Sequence, residues 1–303
     1  VKSKFSDAKI QKIRKSLTVR PYINSRIGEP ARPFPVYVEN EVKIYLPRYF
    51  AWKKYGPPEI NKLHDGTPIS LEFSGNMRPR QKPIIKAYMA ATKNTGGGII
   101  SVGCGEGKTV IALKIISLLK LKTLVVVHKE FLLNQWKDRI LGDSIKQMPG
   151  FLPEARVGII QGSNIDIKDK DIVIGMLQSI SMKDYPLKIF SEFGLVIYDE
   201  CHHVSAEVFS RALLKTCCKY TLGLSATPNR KDGLRKVFEW YLGDIIYKSQ
   251  NTRNDDVNIK IYDYKYDDRS YNSEVINYVG KLNTAKMINN ICECHKRNTF
   301  IIN

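Results

Sequence analysis

The sequence holds no uninterrupted apolar run approaching the roughly 18 residues that a membrane-crossing helix needs. Its N-terminus lacks the basic, apolar and small-residue succession of a secretory leader. Val1 is not a methionine, and the chain reads as a piece of a longer protein. There is no low-complexity tract and no internal repeat of about 20–50 residues, which excludes solenoids and propellers. Six cysteines in 303 residues are too few for a disulfide framework, so a reducing intracellular compartment is expected. Cys292-Glu293-Cys294-His295 lacks the second pair that a zinc site needs and reads as the surface of an amphipathic helix.

Acidic residues are the scarcer sign. Lys and Arg number 48 against 30 Asp and Glu, a formal charge of +18. Residues 1–75 carry 14 basic against 7 acidic side chains, 76–245 carry 25 against 16, and 246–303 carry 9 against 7. The excess is spread over the first two regions, without a basic tail. Such a surface favours a polyanionic partner, nucleic acid first among them. Hydrophobic residues make up 43% of the chain, enough for a buried core.

Residues 1–75 are rich in proline and short β-type runs, and are expected to form a small accessory module. A helix is predicted near Asp7–Leu17 and a hairpin within Pro35–Leu46, breaking at Glu39-Asn40-Glu41. From residue 76 to 245 apolar β-branched runs alternate with helical stretches. Strands are predicted over 98–102, 122–127, 156–160, 171–175, 195–198 and 220–224, with helices over 109–121 and 130–140. These runs are apolar throughout rather than alternating, as in parallel strands covered on both faces. The interleaving implies an α/β fold with a doubly wound parallel sheet. After a polar linker near 250–256, a strand over 257–264, a helix over 283–297 and a strand over 298–302 are predicted, as if a second domain begins.

Two motifs carry the chemistry. The stretch Val102-Gly103-Cys104-Gly105-Glu106-Gly107-Lys108-Thr109 lies between a predicted strand and a predicted helix. There, backbone N–H groups at a helix N-terminus can cradle phosphates, with glycines allowing close approach. Lys108 would reach the β- and γ-phosphates and Thr109 would offer its hydroxyl to Mg²⁺. Val102 stands where the strict pattern has glycine. Asp199 ends the apolar run 195–198, and so lies at the carboxyl end of a strand, where ligands bind in such sheets. It can hold Mg²⁺ there, while Glu200 positions or deprotonates an attacking water. In this order the two motifs describe a nucleoside triphosphatase. Ser225-Ala226-Thr227 is placed at another strand end.

With these residues the chain resembles the superfamily 2 helicases. Gly105 to Thr109 is similar to motif I, Val127 to Trp136 to motif Ia, Val173 to Ser179 to motif Ic, and Asp199-Glu200-Cys201-His202 to motif II of the DExH type. Ser225 to Thr227 is similar to motif III, and Met77-Arg78-Pro79-Arg80-Gln81 to the element whose glutamine reads adenine. Motif I beginning with cysteine, Gln135-Trp136, and the run Ser225 to Gly233 with Arg230 resemble the XPB-type branch, which includes the transcript-release helicases of large DNA viruses.

The resemblance implies two RecA-like lobes that close on ATP and open on hydrolysis, each cycle moving the protein along nucleic acid in the 3′ to 5′ sense. It covers 76–245 closely, 246–303 loosely as linker and start of the second lobe, and 1–75 poorly. It implies ATP and Mg²⁺ at Gly103 to Thr109, Arg78, Gln81 and Asp199, catalysis by Lys108, Asp199 and Glu200, and coupling through His202, Ser225, Thr227 and Arg230. Lys129, Gln135 and Gln178 are candidates for the nucleic-acid path. Met176 stands where motif Ic usually offers a threonine hydroxyl. The arginine fingers of motif VI would fall beyond Asn303, which makes the chain by itself a weak ATPase. Partners would be DNA or RNA and, through it, transcription or repair machinery. The location would be the host cytoplasm or virion if the protein is viral. The alternatives are a double-strand translocase that does not unwind, and a nucleic-acid-binding protein whose ATPase has decayed.

Overall fold

The structure is a computed structural model, and it describes residues 1–22, 32–145, 147–200, 206–226, 234–249, 260–264, 269–278 and 280–302. The chain divides into two compact units, Val1–Asn251 and Thr252–Asn303.

The first unit is built on one eight-stranded sheet among the described residues. Its strands, in chain order, are β1 (Gly97–Ser101), β2 (Thr123–Val127), β3 (Val157–Gln161), β4 (Asn164–Ile165), β5 (Ile172–Met176), β6 (Leu195–Tyr198), β7 (Tyr220–Ser225) and β8 (Ile245–Lys248). They lie in the order β4-β3-β5-β2-β6-β7-β1-β8. Every pairing is parallel except β3 with β4, a hairpin at one edge. Every residue of β1, β2 and β6 is buried, as the unbroken apolar runs predicted. Two apolar clusters cover the two faces. One gathers Ile100, Ile111, Val125, Trp136, Ile174 and Leu222. The other gathers Ile99, Leu124, Val196, Phe209 and Phe238.

The N-terminal residues belong to this second cluster. Ser6 caps the helix Asp7–Ser16, and Ile13 and Leu17 on its inner face pack with Phe34 and Val36 against the sheet cluster. The hairpin forms as Val38–Glu39 paired with Ile44–Tyr45, its turn closed by the Asn40 side chain accepting from Val42 and Lys43. Phe34–Pro35 pairs instead with Thr18–Val19. From the helix Arg48–Tyr55, the Arg48 guanidinium donates to the carbonyls of Cys218 and Lys219. The accessory module expected at 1–75 therefore shares its core with the sheet. Its short strands bury too little surface to stand alone.

In the second unit the Asn283 side chain caps the helix Thr284–Glu293. The chain then turns at Cys294 and continues as the helix His295–Ile302. Two expectations are corrected here. The single helix over 283–297 is broken at the extended Cys294, and residues 298–302, predicted as a strand, are helical. A β-branched run becomes a strand only against a partner. Here Thr299 bonds to the His295 carbonyl and Phe300 packs its ring on Tyr262 and Tyr264, 6.3 and 5.2 Å between centroids. Residues 260–264 form no strand, and 257–259 lie outside the described residues.

Candidate nucleotide site

The chemistry gathers at the carboxyl ends of the parallel strands, as expected for an open α/β sheet. The chain crosses from β1 to β2 by passing over β7 and β6, so the residues after β1 and after β6 face each other across the end of β7. Ser225, buried at that end, accepts from the Val102 N–H through its carbonyl at 3.0 Å and stands opposite Ser101 in register.

After β1 the loop runs to Gly107, which begins the helix Lys108–Leu119 in the left-handed region at φ +81°. A Cβ at Gly107 would fall 2.5 Å from Nε2 of Gln81 in a left-handed backbone conformation, so glycine is favoured there. At Gly105, φ +80°, the space around the missing Cβ is open, leaving the apex of the loop accessible. Gln81 is 3% exposed, and its amide holds this loop in place. Nε2 donates to the Glu106 carbonyl at 3.1 Å, and Oε1 accepts from the Arg78 N–H at 3.0 Å.

After β6 the backbone turns sharply, with Glu200 in the left-handed region at φ +48°. That sparsely populated conformation brings its carboxylate back to the phosphate loop, where Lys108 Nζ lies 3.1 Å from Oε1. The two side chains are only 10% and 20% exposed, so the attraction is weakly screened. Asp199 is 9% exposed. Its Oδ2 accepts from the Trp136 indole N–H at 2.7 Å and its Oδ1 from the Glu200 N–H at 3.0 Å. Burial raises the Asp199 carboxyl above the ordinary range, and the Glu200 charge adds to the rise. The Trp136 and Glu200 N–H groups and Lys108 pull the other way.

These groups line one cleft of about 490 Å³, together with Cys104, Thr109, Arg78, Asn76, Leu132, Gln135, Arg139 and Phe151. Backbone N–H groups at a helix start, a lysine, a hydroxyl and a partly buried carboxylate form a donor set that fits a triphosphate and a hard cation. Gly103 and Glu106 complete the loop, both half-buried. His202, Thr227 and Arg230, expected in coupling, lie outside the described residues.

The nucleic-acid candidates separate. Lys129 begins the helix Glu130–Leu141 just after β2 and is exposed. Gln178, after β5, donates to the His128 carbonyl at 2.8 Å, so these two lie together at the ends of neighbouring strands. Gln135 is instead on the wall of the nucleotide cleft. It sits six residues along the helix, roughly 120° round from Lys129 at about 100° per residue. The sequence reading missed Arg139 and Phe151 as cleft residues. It also missed the bond from Trp136 to Asp199, because membership of motif Ia does not say which acceptor the indole N–H finds 63 residues away.

A glycine loop with Lys-Thr, facing a strand-end Asp-Glu across a parallel sheet, defines a RecA-like ATPase lobe. Residues 74–230 match the family model described as type III restriction enzyme, res subunit, and the chain belongs to this family of superfamily 2 helicases. It is 35% identical over 308 residues to protein L396 of Acanthamoeba polyphaga mimivirus, provisionally named an ATP-dependent RNA helicase. That match covers 99% of this chain and 58% of that protein. It is 34% identical over 217 residues to the DNA 3'-5' translocase XPB2 of Sulfurisphaera tokodaii, covering 69% of this chain and 46% of that protein. These relatives place it in the XPB-like branch. The chain thus spans about half the length of the curated relatives it matches. The UvsW helicase of bacteriophage T4 shares the fold, with a TM-score of 0.55 at 17% identity over 80% of this chain and 94% of that one.

Proposed function

We propose that this chain carries the ATP-binding lobe of a helicase or translocase that couples hydrolysis to movement on nucleic acid. The observation that carries the reading is the meeting of Lys108, Thr109, Asp199 and Glu200 in one cleft. The loop N–H groups and Lys108 bind the phosphates. Thr109 and Asp199 would hold Mg²⁺, which when bound neutralises charge developing on the transferred phosphoryl oxygens. Glu200 would orient the attacking water and accept its proton. It must first give up Lys108, which its carboxylate holds while no phosphate is there. Gln81 sets the loop and, beside Arg78, Arg139 and Phe151, one wall for the base. Removing Lys108 as Lys108→Ala should weaken ATP binding by about 2–3 kcal/mol, roughly 30- to 150-fold. Equal affinities in fluorescence titrations would overturn the assignment.

The relatives' names support two modes of action. L396 is named as an RNA helicase and XPB2 as a DNA translocase. Strand displacement on DNA and RNA duplexes, beside triplex displacement on duplex DNA, separates unwinding from translocation without unwinding. Activity in the second assay alone supports the translocase.

A further inference from the structure

We propose that Trp136 is a positioning residue for the metal-binding acid: its indole N–H fixes the rotation of the Asp199 carboxylate and ties it to the helix Glu130–Leu141. The proposal rests on the nucleotide-site reading above and goes beyond it to a residue outside the phosphate loop and the Asp-Glu pair.

The geometry is specific. Trp136 is fully buried, and its Nε1 lies 2.7 Å from Asp199 Oδ2, across 63 residues of chain. The Glu200 N–H takes the other oxygen at 3.0 Å. An aspartate's terminal torsion is broad and roughly two-fold. One donor on each oxygen, from two different elements, removes that freedom and leaves each oxygen a second lone pair. Charge-assisted bonds of this kind are strong where water is excluded.

Packing alone asks less of Trp136. A buried tryptophan needs some acceptor for its N–H. Here the acceptor is the acid at the end of β6, the group that lines the cleft beside Thr109. The helix that carries Trp136 also presents Leu132, Gln135 and Arg139 to the same cleft, and Lys129 begins it. The orientation of the acid is therefore set by a helix that also lines the cleft.

The test is Trp136→Phe, which keeps most of the ring and removes the N–H. The probe is a fluorescent ADP analogue, titrated at increasing Mg²⁺ and again in EDTA. We expect the Mg²⁺ concentration at half effect to rise about tenfold or more, the range seen when a group orienting a metal ligand is lost. Binding in EDTA should be unchanged, because the phosphate loop is untouched. Trp240→Phe is the control, since Trp240 packs edge-on against Phe50 at 5.4 Å. It should leave the Mg²⁺ dependence as in the wild type.

A folded Trp136→Phe with wild-type Mg²⁺ dependence overturns the proposal, as does an equal shift in the control. A second measurement needs no change at Trp136. With Trp52 and Trp240 replaced by phenylalanine, Trp136 is the remaining tryptophan of the three. Its emission should move on adding Mg²⁺ to the ADP complex and not on adding EDTA; constant emission overturns the proposal. Wild-type protein without Mg²⁺-dependent nucleotide binding would fell the nucleotide-site reading itself, and this proposal with it.

Discussion

Glu200→Gln should tighten ATP binding while stopping turnover. Glu200 Oε1 lies 3.1 Å from Lys108 Nζ, and both side chains are mostly buried. An incoming γ-phosphate needs the same ammonium, so binding to the wild-type chain must first separate the pair. Glutamine keeps the shape and an acceptor oxygen but removes the charge. A charge-assisted bond is roughly twice as strong as a neutral one, and a mostly buried pair still in reach of the cleft lies between the exposed and fully buried limits. The competition removed is therefore about 1–2 kcal/mol, a factor of about 5–30 in affinity. Hydrolysis should fall by about 10²-fold or more, because the carboxylate placed to take the water's proton is gone. Equilibrium titration of a fluorescent ATP analogue gives the affinity, and single-turnover phosphate release gives the chemistry. Weaker or unchanged ATP binding by a folded Glu200→Gln protein would refute the competition between Glu200 and the phosphate. Undiminished turnover would assign the water to another group.

Three further outcomes are expected. Gly107→Ala should cost about 1–2 kcal/mol for a side chain in the left-handed region, and more as its Cβ presses on Gln81; a melting curve and a nucleotide titration should both fall, and wild-type values in both would refute the loop geometry. Glu39 accepts from Arg14 and from Lys2, and the Arg14 bond above all holds its carboxyl below the ordinary range. A lowered carboxyl stabilises above its unfolded pKa and loses that contribution as pH falls through the folded one. The urea stability gap between wild type and Glu39→Gln should thus be present at neutral pH and close below the ordinary carboxylate range; a gap that persists in acid would refute the ion pair as its source. Nucleic-acid affinity should fall steeply and linearly in log affinity against log salt, with little dependence on sequence, since the +18 charge acts on phosphates; salt-insensitive binding in a filter or anisotropy assay would contradict it.

Much of this protein is written locally. Unbroken apolar runs gave parallel strands, because a strand covered on both faces has no polar side to show. Gly107-Lys108-Thr109 at a helix start and Asp199-Glu200 at a strand end stand out as phosphate and metal candidates from residue types and order alone, since each group is held close in sequence. What crosses the chain was not legible there. The sequence could not place the residues after β6 against those after β1, because only the strand order, with β7 between them, brings Glu200 to Lys108. It could not join residues 1–75 to the main core, since Ile13, Leu17 and Val36 look like any apolar residues until the sheet face they cover is known. It marked 298–302 as a strand because a β-branched run favours one, whereas the aromatic packing of Phe300 is decided by contacts made elsewhere in that unit. It also placed Trp136 in motif Ia without showing what its indole N–H meets. A buried N–H takes whichever acceptor the fold brings to it, and tertiary structure alone chose Asp199.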